Sequence, residues 1–139
     1  MLEKLEEIIK QSNPNYVVDY EESSMMNVKA DEMPVDRAGV YIEEFRRGKF
    51  VDLRFREKAK QVVIQIYFFR FVQFQNNAIE REKVRERIEN EIVLPFIENY
   101  NNSSAFESVP EFGVHYPMPR FDANEVSVML EFNCIMKQC

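Results

Sequence analysis

Thirteen consecutive residues, Val62 to Phe74, read Val-Val-Ile-Gln-Ile-Tyr-Phe-Phe-Arg-Phe-Val-Gln-Phe with no Gly or Pro among them. Such a run of β-branched and aromatic side chains predicts a long strand. Because successive strand residues point to opposite faces, Val62, Ile64, Ile66 and Phe68 share one face, while Val63, Tyr67, Phe69 and Phe71 make the other largely apolar as well. A strand apolar on both sides has to be covered on both sides, so the chain must build layers around it. Arg70 interrupts the run. It belongs at a bulge or edge where it reaches water, or beside an acid across the sheet.

The flanking sequence supplies the other layers. Leu2, Leu5, Ile8 and Ile9 recur at helical spacing, and a short amphipathic helix is predicted over 2–12, stopped by Asn13-Pro14. From Tyr16 to Asp36 acidic residues dominate, which reads as a surface loop with a short strand around Met26-Asn27-Val28. Beyond Gly39, Val40 and Ile42 alternate with Tyr41 and Glu43, and Val51, Leu53 and Phe55 alternate with Asp52, Arg54 and Arg56. With Arg47-Gly48 as a turn this predicts a hairpin pairing Phe45 with Phe50, Ile42 with Leu53 and Val40 with Phe55, followed by a polar turn at Glu57-Lys58-Ala59-Lys60. Asn77 with Glu80 resembles a capping box, and Val84, Ile88, Ile92 and Phe96 form the stripe of the main helix. Pro95 is expected to kink or end that helix near Leu94. A Pro-rich stretch, Pro110 to Pro119, then leads irregularly into a half-buried final strand over 126–136. The expectation is one α+β domain spanning 1–139, with an antiparallel or mixed sheet of about four to five strands, one main helix packed on it and a short N-terminal helix.

Composition bounds what such a domain does. At 139 residues, with 45% hydrophobic and 30% charged side chains and only 3 Gly, the chain has the makeup of a packed domain rather than a disordered one. The net charge of −6 argues against nonspecific binding to nucleic acid or anionic membrane. The first residues lack the basic start and long apolar centre of a secretory signal, and no apolar run is long enough to span a membrane. A cytosolic protein is expected. Cys134 and Cys139 would stand roughly 16 Å apart along a continued strand, beyond disulfide reach, and read as free thiols.

No catalytic or metal motif emerges. His115 is the only histidine, no HxxxH, CxxC or DxDxDG spacing occurs, and Gly39, Gly48 and Gly113 are isolated, so zinc, EF-hand calcium and phosphate-loop chemistry lack support. Cys134 shares an apolar face with Val128, Leu130 and Phe132 and reads as a buried small side chain rather than a nucleophile. Neither a cofactor nor an enzymatic activity is expected.

Contact with other proteins is the chemistry the residues favour. Arg46, Arg47, Lys49, Arg54 and Arg56 make the region after Glu44 locally basic, with Tyr41, Phe45 and Phe50 interleaved. Glu43, Glu44, Asp52 and Glu57 offset that charge, which favours a protein surface over nucleic acid. The second face of the central strand, with Tyr67, Phe69 and Phe71, is too long for the 2–12 helix to cover, and predicts self-association through exposed aromatics. Those same three residues could instead line an apolar pocket for a small molecule or peptide.

In its order of elements the chain resembles the tail-terminator or tail-completion proteins of long-tailed bacteriophages and related contractile particles. The resemblance runs through Val51-Asp52-Leu53-Arg54-Phe55, the Val62 to Phe74 strand, the helix to Tyr100, and Phe121-Asp122-Ala123-Asn124 leading into the last strand. It implies small α+β subunits assembled as rings, binding the end of a tail tube and presenting a surface to the head connector, with no catalytic residues to carry over. It also implies residence in the host cytoplasm during assembly and in the virion afterwards.

Overall fold

The computed structural model describes residues 1–15, 17–19, 38–43, 48–53, 57–71, 78–117 and 125–136. Helix α1 (Leu2–Ser12) buries Leu5, Ile8 and Ile9, and it ends where Asn13 takes up extended backbone. Strands β1 (Val17–Asp19), β2 (Ala38–Ile42), β3 (Gly48–Leu53) and β4 (Glu57–Phe71) follow, then a long helical rod. That rod comprises α2 (Ala78–Ile88), a π-helical turn (Glu89–Val93) and α3 (Leu94–Asn101), and the chain closes with β5 (Gly113–His115) and β6 (Glu125–Ile135). The six strands form one mixed sheet, in the order β1-β2-β4-β6-β5 with β3 also on β4, and the fold is α+β. β1 pairs with β2 in parallel, the other described strand pairs being antiparallel.

The apolar stretch behaves as its alternation requires. Val62, Ile64, Ile66 and Phe68 stand opposite Cys134, Phe132, Leu130 and Val128 of β6, and Phe68 and Ile66 also stand opposite Val40 and Ile42 of β2. This row joins Leu5, Ile8 and Ile9 of α1 and Ile88, Ile92, Phe96 and Tyr100 of the rod in a single core. All the described helices therefore cover one face of the sheet.

Three local expectations are corrected. First, β2 and β3 do not pair with each other: Gln61 and Val62 pair with β3 on one edge and with β6 on the other, which puts β3 on the same edge of β4 as β2. Six residue steps from Ile42 to Gly48 match only four from Ile66 to Val62, so β2 and β3 act as one long strand interrupted by an excess of two residues. The hairpin is β3–β4, closing from Leu53 to Glu57, and Glu57 to Lys60 are strand rather than turn. A period-two pattern fixes faces but not partners, and the longer apolar strand wins both halves. At Gly48, the first residue of β3, a Cβ would come within 2.9 Å of the Gln61 carbonyl oxygen, so the close approach there suits glycine.

Second, Pro95 does not end the main helix. The Leu94 N–H reaches back five residues to the Glu89 carbonyl, and this wider turn leaves room for the proline ring immediately after it. The same turn helps keep the stripe in line. Residues four apart drift about 40° per step in a straight α-helix of 3.6 residues per turn, and a looser turn takes up part of that drift, so that Ile88, Ile92, Phe96 and Tyr100 all stay buried.

Third, β1 and β5 form where only loop was expected, β1 by parallel pairing to β2 and β5 by antiparallel pairing to β6. The expected strand near Met26 and the Asn77 cap lie outside the described residues.

Ile88 is fully buried, so Ile88→Ala should cost about 2–5 kcal/mol in chemical denaturation through the cavity it leaves. A loss below about half a kcal/mol would place the stripe in solvent.

Candidate functional site

The core row ends abruptly at one end of β4. Val62 is buried, while Lys60, the next residue on the same face, is exposed. Beyond that point the β3–β4 ladder continues, with Phe50 opposite Lys60, Val51 opposite Ala59, Asp52 opposite Lys58 and Leu53 opposite Glu57. Among the described residues β6 pairs with β4 only from Gln61 onward. Four further residues per strand, roughly 13 Å, thus pair as a two-stranded arm beyond the last described β4–β6 pair. Over 48–60 the sequence carries Lys49, Arg54, Arg56, Lys58 and Lys60 against Asp52 and Glu57, a basic island on a chain of net charge −6. Phe45, Arg46, Arg47 and Arg54 lie outside the described residues, and Phe50 and Phe71 are placed by their backbone alone.

The second face of the sheet divides in two. At one end Phe69 lies between Gly39 of β2 and Ser127 of β6, and Tyr67 lies between Tyr41 and Met129. A Cβ on Gly39 would come within 2.5 Å of the Phe69 ring, so only glycine lets that ring lie down across its neighbour. The Tyr41 and Tyr67 rings sit 6.1 Å apart. As a result Tyr41, Tyr67 and Phe69 are 3%, 8% and 0% exposed within a single chain. The expectation of an uncovered aromatic face on these residues is corrected, and none of the three is available as a contact or as the lining of an open pocket.

The other end of that face is polar and open. Gln65 Nε2 donates to Glu131 at 2.8 Å, and Val63 stands opposite Asn133. Here a groove of about 510 Å³ opens, lined by Val63, Glu131, Asn133 and Ile135 of the sheet and by Glu111 of the neighbouring loop, with Phe132, a core residue of the opposite face, touching its edge. Its outer wall is the Ser108–Glu111 loop, which Asn101 clamps at both backbone groups of Val109: the side-chain amide donates to the carbonyl at 3.2 Å, and its oxygen accepts from the N–H at 2.8 Å. Phe106 and Phe112 anchor the loop on either side, stacked on Tyr100 at 4.9 Å and tilted on Phe132 at 4.8 Å respectively. The groove is preformed.

On the helix side, Arg70 resolves its ambiguity by pairing with an acid on the rod rather than across the sheet. Its guanidinium meets Glu91 at 2.8 Å, and Glu91 also accepts from Arg87 at 2.7 Å. Burial works to raise the Glu91 pKa, but the Arg87 hydrogen bond and the charges of Arg70 and Arg87 outweigh it and hold the carboxyl below its usual value. One turn away Tyr116 donates to Glu89 at 2.7 Å and lies under Arg85, tying the segment after β5 to the π-helical turn. These contacts join elements of the fold.

The groups most suggestive of catalysis do not converge. His115 is exposed on β5. Cys134 is free and buried, and burial pushes its thiol up to about 11. Tyr100 is fully buried with no hydrogen-bond partner beyond that weak thiol, and burial followed by Cys134 drives its pKa far up. Cys139 lies outside the described residues, among which no cluster of three His, Cys, Asp or Glu could hold a metal. No helix among the described residues is long and apolar enough to cross a membrane.

No protein-family model and no curated protein matches the sequence. The arm and the groove therefore rest on geometry alone. The groove was missed in the sequence because Ser108–Glu111 reads as featureless loop; the usable signal was Gln65, the polar break in the odd-numbered face of the long strand.

Two measurements check this account. Cys134 should resist a disulfide-exchange reagent at pH 8 in the native protein and react fully once unfolded; rapid native labelling would place it in solvent. Because the folded Glu91 pKa is depressed, its stabilisation is present above the ordinary carboxyl value and is lost as pH falls through the lower one. Denaturation at pH 7 and pH 3 should therefore show a smaller acid-induced loss in Glu91→Gln than in wild type, and equal losses would contradict the ion pair.

Proposed function

We propose that this chain is a non-enzymatic assembly protein of a phage or phage-like particle, binding the end of a tail tube or head–tail connector as a ring of identical subunits. The observation that carries the reading is the basic β3–β4 arm, which runs past the end of the core where the Val62 row stops. Lys60, where the core row ends, is exposed, and paired strands that reach beyond a core in this way serve contact with other chains. The order of elements, a helix, paired strands, a long strand, one helical rod and a final strand, supports the same reading through the resemblance it bears to tail-completion proteins.

Light scattering at micromolar concentration, with the protein alone and with a tail-tube protein, is the test. An assembly larger than the 16.6 kDa chain is expected in at least one condition. A monomer in both would overturn the proposal.

A further inference from the structure

We propose that β5 is a self-pairing edge, to which a second copy of this chain adds its own β5 antiparallel, Val114 opposite Val114. β5 ends the strand order of the described sheet, and all three of its residues are exposed. The Glu43 N–H bonds to the Gln65 carbonyl, so odd-numbered β4 residues face β2 and even-numbered ones face β6. Through the β4–β6 register the even-numbered β6 residues face β4 in turn, which leaves Glu131 and Met129 to face β5, opposite Gly113 and His115. The N–H and C=O of Val114 therefore point away from β6, and neither has a hydrogen bond among the described residues.

A second copy fits because the segment is its own complement. With Val114 on a two-fold axis, Phe112 of one copy comes opposite Tyr116 of the other, and Gly113 opposite His115. Val114 is 44% and Tyr116 54% exposed, two of the four large apolar side chains left exposed among the described residues. Pairing would set Tyr116 beside Phe112, whose ring already leans on Phe132 at 4.8 Å, and Gly113 leaves space for the facing imidazole. No Lys, Arg, Asp or Glu falls within 112–116, so the axis brings no like charges together, and the edge lacks the charges and proline that keep natural edges single. It is also held in place before pairing: Tyr116 donates to Glu89 at 2.7 Å, which lowers the ordering cost. Being isologous, the contact joins two copies and closes, and it goes beyond the assembly reading above, standing whether or not the chain builds a ring.

Charges placed on the axis test the pairing. Val114→Lys and Val114→Glu should each associate about fivefold more weakly than wild type in sedimentation equilibrium over a concentration series, because like charges then stand opposite each other. An equimolar mixture of the two should recover association, since a contact that sets residue 114 against residue 114 pairs the opposite charges. Val114→Pro removes an N–H that bonds nothing in the single subunit, and should abolish the pairing while leaving the circular dichroism spectrum and the thermal midpoint close to wild type. An assembly indifferent to all three variants, or a mixture no stronger than its components, would overturn β5 pairing and leave the ring reading standing. A wild-type chain that stays at 16.6 kDa at every concentration would overturn it as well.

Discussion

Antiparallel pairing along Ile64, Ile66 and Phe68 is the constraint on which the rest of the structure depends. This segment of β4 is held by β6 on one edge, with β2 joining on the other from Ile66, and its even-numbered side chains share one core with residues of all three described helices. A one-residue slip would exchange Ile64, Ile66 and Phe68 for Gln65 and Tyr67 against the helices, so register and core packing enforce each other. The position of every other element follows. The rod runs where the even row is, the π-helical turn lets a four-residue stripe stay over that row, and Arg70, at the end of the same row, meets Glu91 because the rod passes there.

Along its length β4 changes task. Its central part is core on the even face; toward Phe69 the odd face is also closed, by aromatic rings lying across glycine and one another. Toward Val63 the odd face opens into the groove, and at Lys60 the even face is exposed. A single strand thus joins the most stable part of the molecule to the part proposed for contact, and an arm rooted in a rigid core is placed precisely without adding to the core itself.

Much of this was legible in the residues. The α1 helix, the two-faced strand, the stripe from Val84 to Phe96 and the last strand all follow from periodicity, which reports which side of an element is buried. Partner choice is not written in periodicity. Val40 and Ile42 alternate as a hairpin strand would, yet they pair with Phe68 and Ile66 because the longer apolar strand offers a better-buried neighbour. The closure of the aromatic face was equally hidden, since it depends on Gly39 standing opposite Phe69 across 30 residues of sequence separation. The groove depends on Asn101, Phe106 and Phe112 pinning a loop whose composition alone reads as irregular.

A core half and an arm half of very different stability are expected along β4, and native-state hydrogen exchange reads that difference residue by residue. The amides of Ile64, Ile66 and Phe68 should exchange only through global unfolding, with the slowest rates in the chain. Those of Val51 and Ala59, which stand opposite each other in the arm, should exchange much faster in the isolated subunit, by local opening of the arm. Equal protection along the whole of β4, or fast exchange at its centre, would contradict the account.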